Sequence, residues 1–198
     1  MTKKESTLIN MTITLFVITL VTSTLLGFMY QLTKEPIQAA NAVKQNFAIQ
    51  AVLPKATMDY DNDPSADAYQ VESFDGGEPL ICYPALKNGE ITGIAVNTWT
   101  MKGFSGLVRL MVGFDRSGNI IYISVLEQKE TPGLGTKMAK PRFKDQYNGK
   151  NPATNNLKVK KDGGEVDAIT AATISSRAFS DAVERAYKSL EKAGKLER

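Results

Sequence analysis

The sequence predicts an α+β protein in which a single N-terminal transmembrane helix precedes an antiparallel sheet with flanking helices. Three features carry that reading. Residues 8–30 contain no charged side chain, strand-like segments then succeed one another across hairpin turns, and an amphipathic helix pattern closes the chain. Strands in runs with helices at the ends argue for an α+β domain and against the βαβ alternation of a doubly wound nucleotide-binding fold.

The apolar run LINMTITLFVITLVTSTLLGFMY is long enough to span a bilayer, since about 20 helical residues cross the hydrocarbon core. Ala40-Asn41-Ala42 has the form of a signal-peptidase site, but the apolar region of a signal is only about 7–15 residues long, so the run reads as a retained anchor. Lys3 and Lys4 precede it while Lys34 and Lys44 follow, a balance that predicts a cytoplasmic amino terminus. Thr19, Ser23 and Gly27 form a stripe of small residues, which is either a face for a partner helix or the ordinary composition of a membrane helix.

Beyond the span, Pro36 opens a juxtamembrane helix with Ala40, Val43, Phe47 and Ala51 on one face, stopped at Leu53-Pro54. Residues 59–77 are rich in Asp, Gly, Ser and Pro and read as an irregular excursion. Strands are predicted at 80–86 and 91–99 around Asn88-Gly89, the strongest short hairpin signal, and at 107–114 and 120–126 around Asp115-Arg116-Ser117-Gly118-Asn119. A further hairpin is predicted from 156–160 and 165–169 across Asp162-Gly163-Gly164. The last helix, 176–193, has Phe179, Val183, Ala186 and Leu190 as its apolar face. Arg177, Glu184, Arg185, Lys188 and Glu191 turn to solvent.

Composition narrows the chemistry. The chain of 198 residues is 42% hydrophobic and 23% charged, which suits one globular domain with its anchor. It contains no histidine, which removes His-dependent triads, His metal sites and His acid/base catalysis. The lone Cys82 can form neither an intramolecular disulfide nor a Cys-x-x-Cys pair nor a four-thiolate cluster, and reads as a small buried hydrophobe. No metal site and no catalytic acid/base residue are predicted. A net charge of +3 without a basic run gives no reason to expect a nucleic-acid partner. No GxGxxG follows a strand and no GxxxxGK[ST] is present.

Two stretches are dense in special residues. Glu130-Thr131-Pro132-Gly133-Leu134-Gly135-Thr136 follows a strand, and Pro132-Gly133 suits the central positions of a type II turn. It is either a tight surface turn or a place where backbone approaches a ligand. Asp167-Ala168-Ile169-Thr170-Ala171-Ala172-Thr173-Ile174-Ser175-Ser176 runs from a strand end into the last helix. Its hydroxyls either cap that helix, with Ser175 or Ser176 as N-cap, or line a phosphate site at the helix N-terminus.

The DAITAAT segment at 167–173, with ETPGLG at 130–135, resembles the FMN-binding domain family shared by the G subunit of Rnf complexes and the C subunit of the sodium-translocating NADH:quinone reductase. The resemblance extends to the N-terminal span, to Leu32-Thr33-Lys34-Glu35-Pro36-Ile37 and to the region from Gly103-Phe104 to Gly113. It implies covalent FMN, joined through its phosphate to the last Thr of the motif by a flavin transferase with FAD as donor. The matching residue is Thr173, and Glu130, Thr131, Leu134, Gly135, Thr170 and Ala172 are the accompanying cofactor-binding residues, with Lys160 or Lys161 either screening the phosphate or standing as plain solvated charge. Ala171 stands where the family usually has Gly, so a positive φ there would strain it.

The resulting expectation is a cytoplasmic N-terminus and anchor over 1–30 and an extracytoplasmic FMN-binding domain over 31–198, held in the cytoplasmic membrane. Its role would be that of an electron-transfer subunit of an Rnf ferredoxin:NAD oxidoreductase coupled to Na+ or H+ translocation, with no turnover by itself and with other membrane subunits of the complex as partners. The C subunit of the quinone reductase is the alternative within that class. A tethered binding domain without cofactor, with DAITAAT only a helix cap, is the alternative outside it.

Overall fold

The computed structural model describes residues 7–55 and 58–196. Helix α1 (Leu8–Val52) is followed by strands β1 (Tyr69–Val71), β2 (Leu80–Lys87), β3 (Glu90–Gly103), β4 (Gly106–Asp115) and β5 (Ile120–Gln128), then by a short helix α2 (Pro141–Lys144) and a long helix α3 (Thr173–Lys192). The chain divides into two compact units, Met1–Val43 and Lys44–Arg198.

In the first unit, α1 is long and apolar enough to cross a membrane. Its threonines turn their hydroxyls back onto the helix, as where Thr22 donates to the Ile18 carbonyl at 2.8 Å, so the span leaves few polar groups unpaired. Lys3 and Lys4, on which the orientation reading rests, lie outside the described residues. Pro36 does not begin a second helix as predicted: α1 runs through it. Proline removes one backbone bond while its φ remains helical, and strong helix formers on both sides carry the element across.

In the second unit the five strands form one antiparallel meander in the order β1-β2-β3-β4-β5. Two of the three predicted hairpins, β2–β3 and β4–β5, are present. Asn88 and Gly89 both adopt positive φ, 52° and 84°, as the tight two-residue loop requires. Strand β4 alternates: Val108, Leu110, Val112 and Phe114 join the core under α3, whereas Met111 joins a second core on the opposite face. That second core takes Ala48, Ile49, Val52 and Leu53. Phe47, predicted on the buried face of the helix, is 68% exposed, so the packed stripe lies one residue further along.

Helix α3 lies over β3 and β4, and Phe179, Val183, Ala186 and Leu190 are fully buried there. Arg185, predicted to face solvent, is buried. The loop before β2 folds over it: Arg185 pairs with Asp75 at 2.8 Å and stacks on Trp99. The Ser73 hydroxyl, aided by Gly77 N–H and Arg185, holds the Asp75 carboxyl below the usual range against the effect of desolvation. Cys82 is buried as expected, and burial pushes its thiol up to about 12.

The hairpin predicted for 156–169 does not form. Only Val159 and Val166 bridge, in parallel, and residues Lys160–Asp162 make a 3-10 turn instead. Leu157 and Val159 are buried at the spacing of a strand, but Val166 and Ile169 are buried three residues apart, so the second arm lacks the period-2 face a half-buried hairpin needs. The short β1 was also missed, within a stretch read as irregular.

Candidate functional site

Two turns and one hairpin tip meet at the N-terminus of α3. In the first turn, Leu134 N–H donates to the Thr131 carbonyl at 3.1 Å and Gly133 has φ 77°, the type II geometry predicted from Pro132-Gly133. Thr136 supports it, its hydroxyl accepting from Gly133 N–H at 3.0 Å. In the second, Ala172 N–H donates to the Ile169 carbonyl at 2.9 Å and Ala171 has φ 61°. Both turns therefore carry a left-handed residue at the third position, but in the second it is an alanine.

Helix α3 begins at Thr173, three residues before the predicted start, with Ala172 as N-cap and no side-chain cap. Neither Ser175 nor Ser176 caps it. Ser176 accepts from Ile169 N–H and donates to the Ala172 carbonyl, both at 2.9 Å, which clamps the second turn. Ser175 donates to Glu130 at 2.7 Å. The N–H groups of the first helical turn, which have no acceptor within any helix, are thus left to a ligand or solvent at the positive end of the helix dipole.

A cavity of about 390 Å³ opens at this point. It is lined by Glu130, Thr131, Leu134 and Gly135 from the first turn and by Ala171, Ala172, Thr173, Ile174 and Ser175 from the second turn and helix start. Phe104, at the tip between β3 and β4, completes it. Its walls are mostly apolar, and Phe104, Leu134 and Ile174 are all exposed at its rim. Six of the seven sequence-predicted residues, Thr173, Glu130, Thr131, Leu134, Gly135 and Ala172, come together here. Thr170 does not: it lines a neighbouring cavity with Lys137, Lys140, Arg142, Phe143 and Gln146. Lys160 pairs with Asp167 at 2.8 Å, and neither it nor Lys161 lines the Thr173 cavity.

Phe104 and Ile174 were not foreseen as site residues. The signal available for Phe104 was an apolar aromatic at a tight Gly103–Gly106 hairpin tip, where burial is unattainable. Gly135 has a steric reason to be glycine, because a Cβ there would lie 2.6 Å from Ser175 Oγ and 2.7 Å from Glu130 Cβ.

The residues present suit a flavin mononucleotide. The volume lies in the range of small-ligand pockets, about 300–1,000 Å³. Apolar walls suit a flat ring system, the uncapped helix start suits a phosphate, and the Thr173 side chain at that start supplies a hydroxyl. Among the described residues no cluster fit for a metal ion is found.

Residues 103–188 match the FMN-binding domain family. The chain is 36% identical to the G subunit of the ion-translocating oxidoreductase complex of Photorhabdus laumondii over 87% of its length and 85% of that protein's. It is 34% identical to the G subunit of the Na+-translocating ferredoxin:NAD+ oxidoreductase complex of Acetobacterium woodii, over 90% of each chain. Among solved structures, the C subunit of the Na+-translocating NADH-quinone reductase from Parabacteroides distasonis superposes with a TM-score of 0.47 at 20% identity, covering 61% of this chain and 65% of that one. With relatives at this identity aligned over most of both chains, the protein belongs to the family of G subunits of ion-translocating oxidoreductase complexes.

Proposed function

We propose that this chain is the membrane-anchored flavoprotein, the G subunit, of an ion-translocating ferredoxin:NAD oxidoreductase complex. It carries FMN as a phosphoester on Thr173 and passes electrons between other subunits. The reading rests on one observation above all: Thr173 opens the uncapped start of α3 into a cavity built from the two special turns. The kinship with G subunits favours this complex over the quinone-reductase alternative.

When bound, FMN supplies the redox chemistry, and the protein supplies position and environment. The first-turn N–H groups of α3 would hold its phosphate, and Phe104, Leu134 and Ile174 would shield its ring system from water. In attachment, Thr173 Oγ1 bonds to the FMN-side phosphorus of FAD as the pyrophosphate P–O bond breaks. AMP leaves with that electron pair, and the hydroxyl proton is released. Helix α1 anchors the protein, with the amino terminus cytoplasmic and the large unit on the outer side of the membrane.

The test is co-expression with a flavin transferase followed by intact-mass measurement of the denatured protein. The parent chain and Thr170→Val should gain the mass of FMN less one water, and Thr173→Val should not. Retention of that mass in Thr173→Val, or its absence from the parent chain, overturns the assignment. Protease added to intact spheroplasts should degrade the large unit, and protection there reverses the orientation.

A further inference from the structure

Glu130 is the carboxylate in the wall of this cavity, and it is only 4% exposed. Buried acids normally sit against a cation. Glu130 has no ion-pair partner among the described residues. Both of its oxygens instead accept hydrogen bonds, Oε1 from Ser105 N–H at 3.1 Å and Oε2 from the Ser175 hydroxyl at 2.7 Å. Those two bonds join the tip between β3 and β4, the turn after β5 and the first turn of α3, which are the three segments that build the site.

Two glycines make room for it. A Cβ at Gly103 would lie 2.6 Å from Oε1, and one at Gly135 would lie 2.7 Å from Oε2. An interior acid without a countercharge, set between two glycines and held by donors from two other segments, is costly to keep for packing alone, since an apolar side chain would fill the space without desolvating a charge.

Resting on the flavin reading above, we propose that Glu130 is the positioning residue of the site and that its fixed negative charge keeps the reduction potential of the bound flavin low. Each electron accepted in the cavity adds negative charge beside this carboxylate, and the apolar walls screen the repulsion far less than water would. The hydrogen bonds fix where the charge sits, and the charge sets how readily an electron is accepted.

The experiment uses the full chain loaded by a transferase and compares midpoint potentials of the parent, Glu130→Gln and Ser175→Ala. Glutamine keeps the shape, the acceptor for Ser105 N–H and a donor for the Ser175 oxygen, but removes the charge. Its potential should rise by at least a tenfold change in the one-electron equilibrium constant, 59 mV. Ser175→Ala keeps the charge and loses one bond, so its potential should stay within threefold of the parent. Unloaded Glu130→Gln should melt close to the unloaded parent. An unchanged potential in Glu130→Gln, or an equal rise in Ser175→Ala, overturns the proposal. Where Glu130→Gln does not accumulate, Glu130→Asp decides: it retains the charge and should hold the low potential, and a tenfold rise there overturns the proposal. A parent chain without the FMN mass fails the flavin reading instead, and mass measurement reveals that before any potential is taken.

Discussion

The two turns that face the cavity close the same hydrogen bond and carry the same left-handed residue at their third position, yet they are built from different chemistry. In Thr131-Pro132-Gly133-Leu134 the proline sets φ at the second position and the glycine reaches φ 77° without a Cβ penalty. In Ile169-Thr170-Ala171-Ala172 the corresponding residues are threonine and alanine, and Ala171 is held at φ 61°. The first turn is locally self-sufficient. The second is imposed from outside: Ser176 clamps Ile169 N–H and the Ala172 carbonyl, while Gln146 accepts from Asp167 N–H at 2.8 Å and donates to the Asp167 carbonyl. Backbone strain persists where neighbours over-determine it, and here it lies beside the residue proposed to carry the cofactor.

The largest effect expected from perturbing this pair comes just after the first turn. Gly135→Ala puts a methyl group 2.6 Å from Ser175 Oγ and 2.7 Å from the Glu130 carboxylate, so the bond between those two residues must break or the helix start must shift. Overpacking of this kind costs about 1–3 kcal/mol. Chemical denaturation should show that loss, and the loaded variant should show an altered flavin spectrum. A variant as stable as the parent with an unchanged spectrum would mean that the first turn and α3 are not tightly coupled.

A smaller effect is expected at Gly133, where an added Cβ meets nothing within 4 Å. Gly133→Ala therefore isolates the backbone term, about 1–2 kcal/mol for an L-residue in the left-handed region. Losing glycine's freedom in the unfolded chain returns about 0.5–1 kcal/mol, which leaves a net cost of about 0.75 kcal/mol at the midpoints. The melting temperature should fall, and on the proposed attachment through Thr173 the FMN mass should still be present, since this turn contributes no residue to the proposed ester. A neutral Gly133→Ala would show that the turn relaxes to another type, and the contrast with the second turn would then lose its basis.

These differences track what was legible in the sequence. The β2–β3 and β4–β5 hairpins and the Pro132-Gly133 turn announce themselves because each contains residues whose local preferences match their conformation. The second turn does not, since nothing in Thr170-Ala171 favours positive φ and the forces that impose it come from Ser176 and Gln146. The helix start was misread for the same reason: serine at a helix entrance usually caps, but Ser176 instead serves the turn and Ser175 serves Glu130. Arg185 looked like a solvent-facing charge because the loop that covers it, with Asp75, is distant in the chain. The convergence of ETPGLG with the start of α3 was suggested by resemblance, and Phe104 opened the Gly103–Gly113 region of that resemblance, but its place in the cavity wall followed only from β3 and β4 folding back on each other.

An effect no larger than that at Gly133 is the most diagnostic, because it has the opposite sign. Ala171 is exposed, so Ala171→Gly loses little packing and relieves the left-handed strain. The relief of about 1–2 kcal/mol is offset by the extra freedom glycine gains in the unfolded chain, about 0.5–1 kcal/mol, which leaves a net gain of about 0.75 kcal/mol at the midpoints and at most about 1.5 kcal/mol. For a domain of this size that raises the melting temperature by about 1–4 °C. Gly133→Ala and Ala171→Gly are thus the same exchange run in opposite directions in two turns of the same form, and in the double variant the effects should add to within about 0.5 kcal/mol if the turns act independently. A larger departure would mean that the turns are coupled, and the Glu130–Ser175 bond is the contact that links them, so repeating the cycle in Ser175→Ala should restore additivity. If Ala171→Gly instead destabilises the protein, the alanine is not strained, and the contrast drawn between the two turns fails at its root.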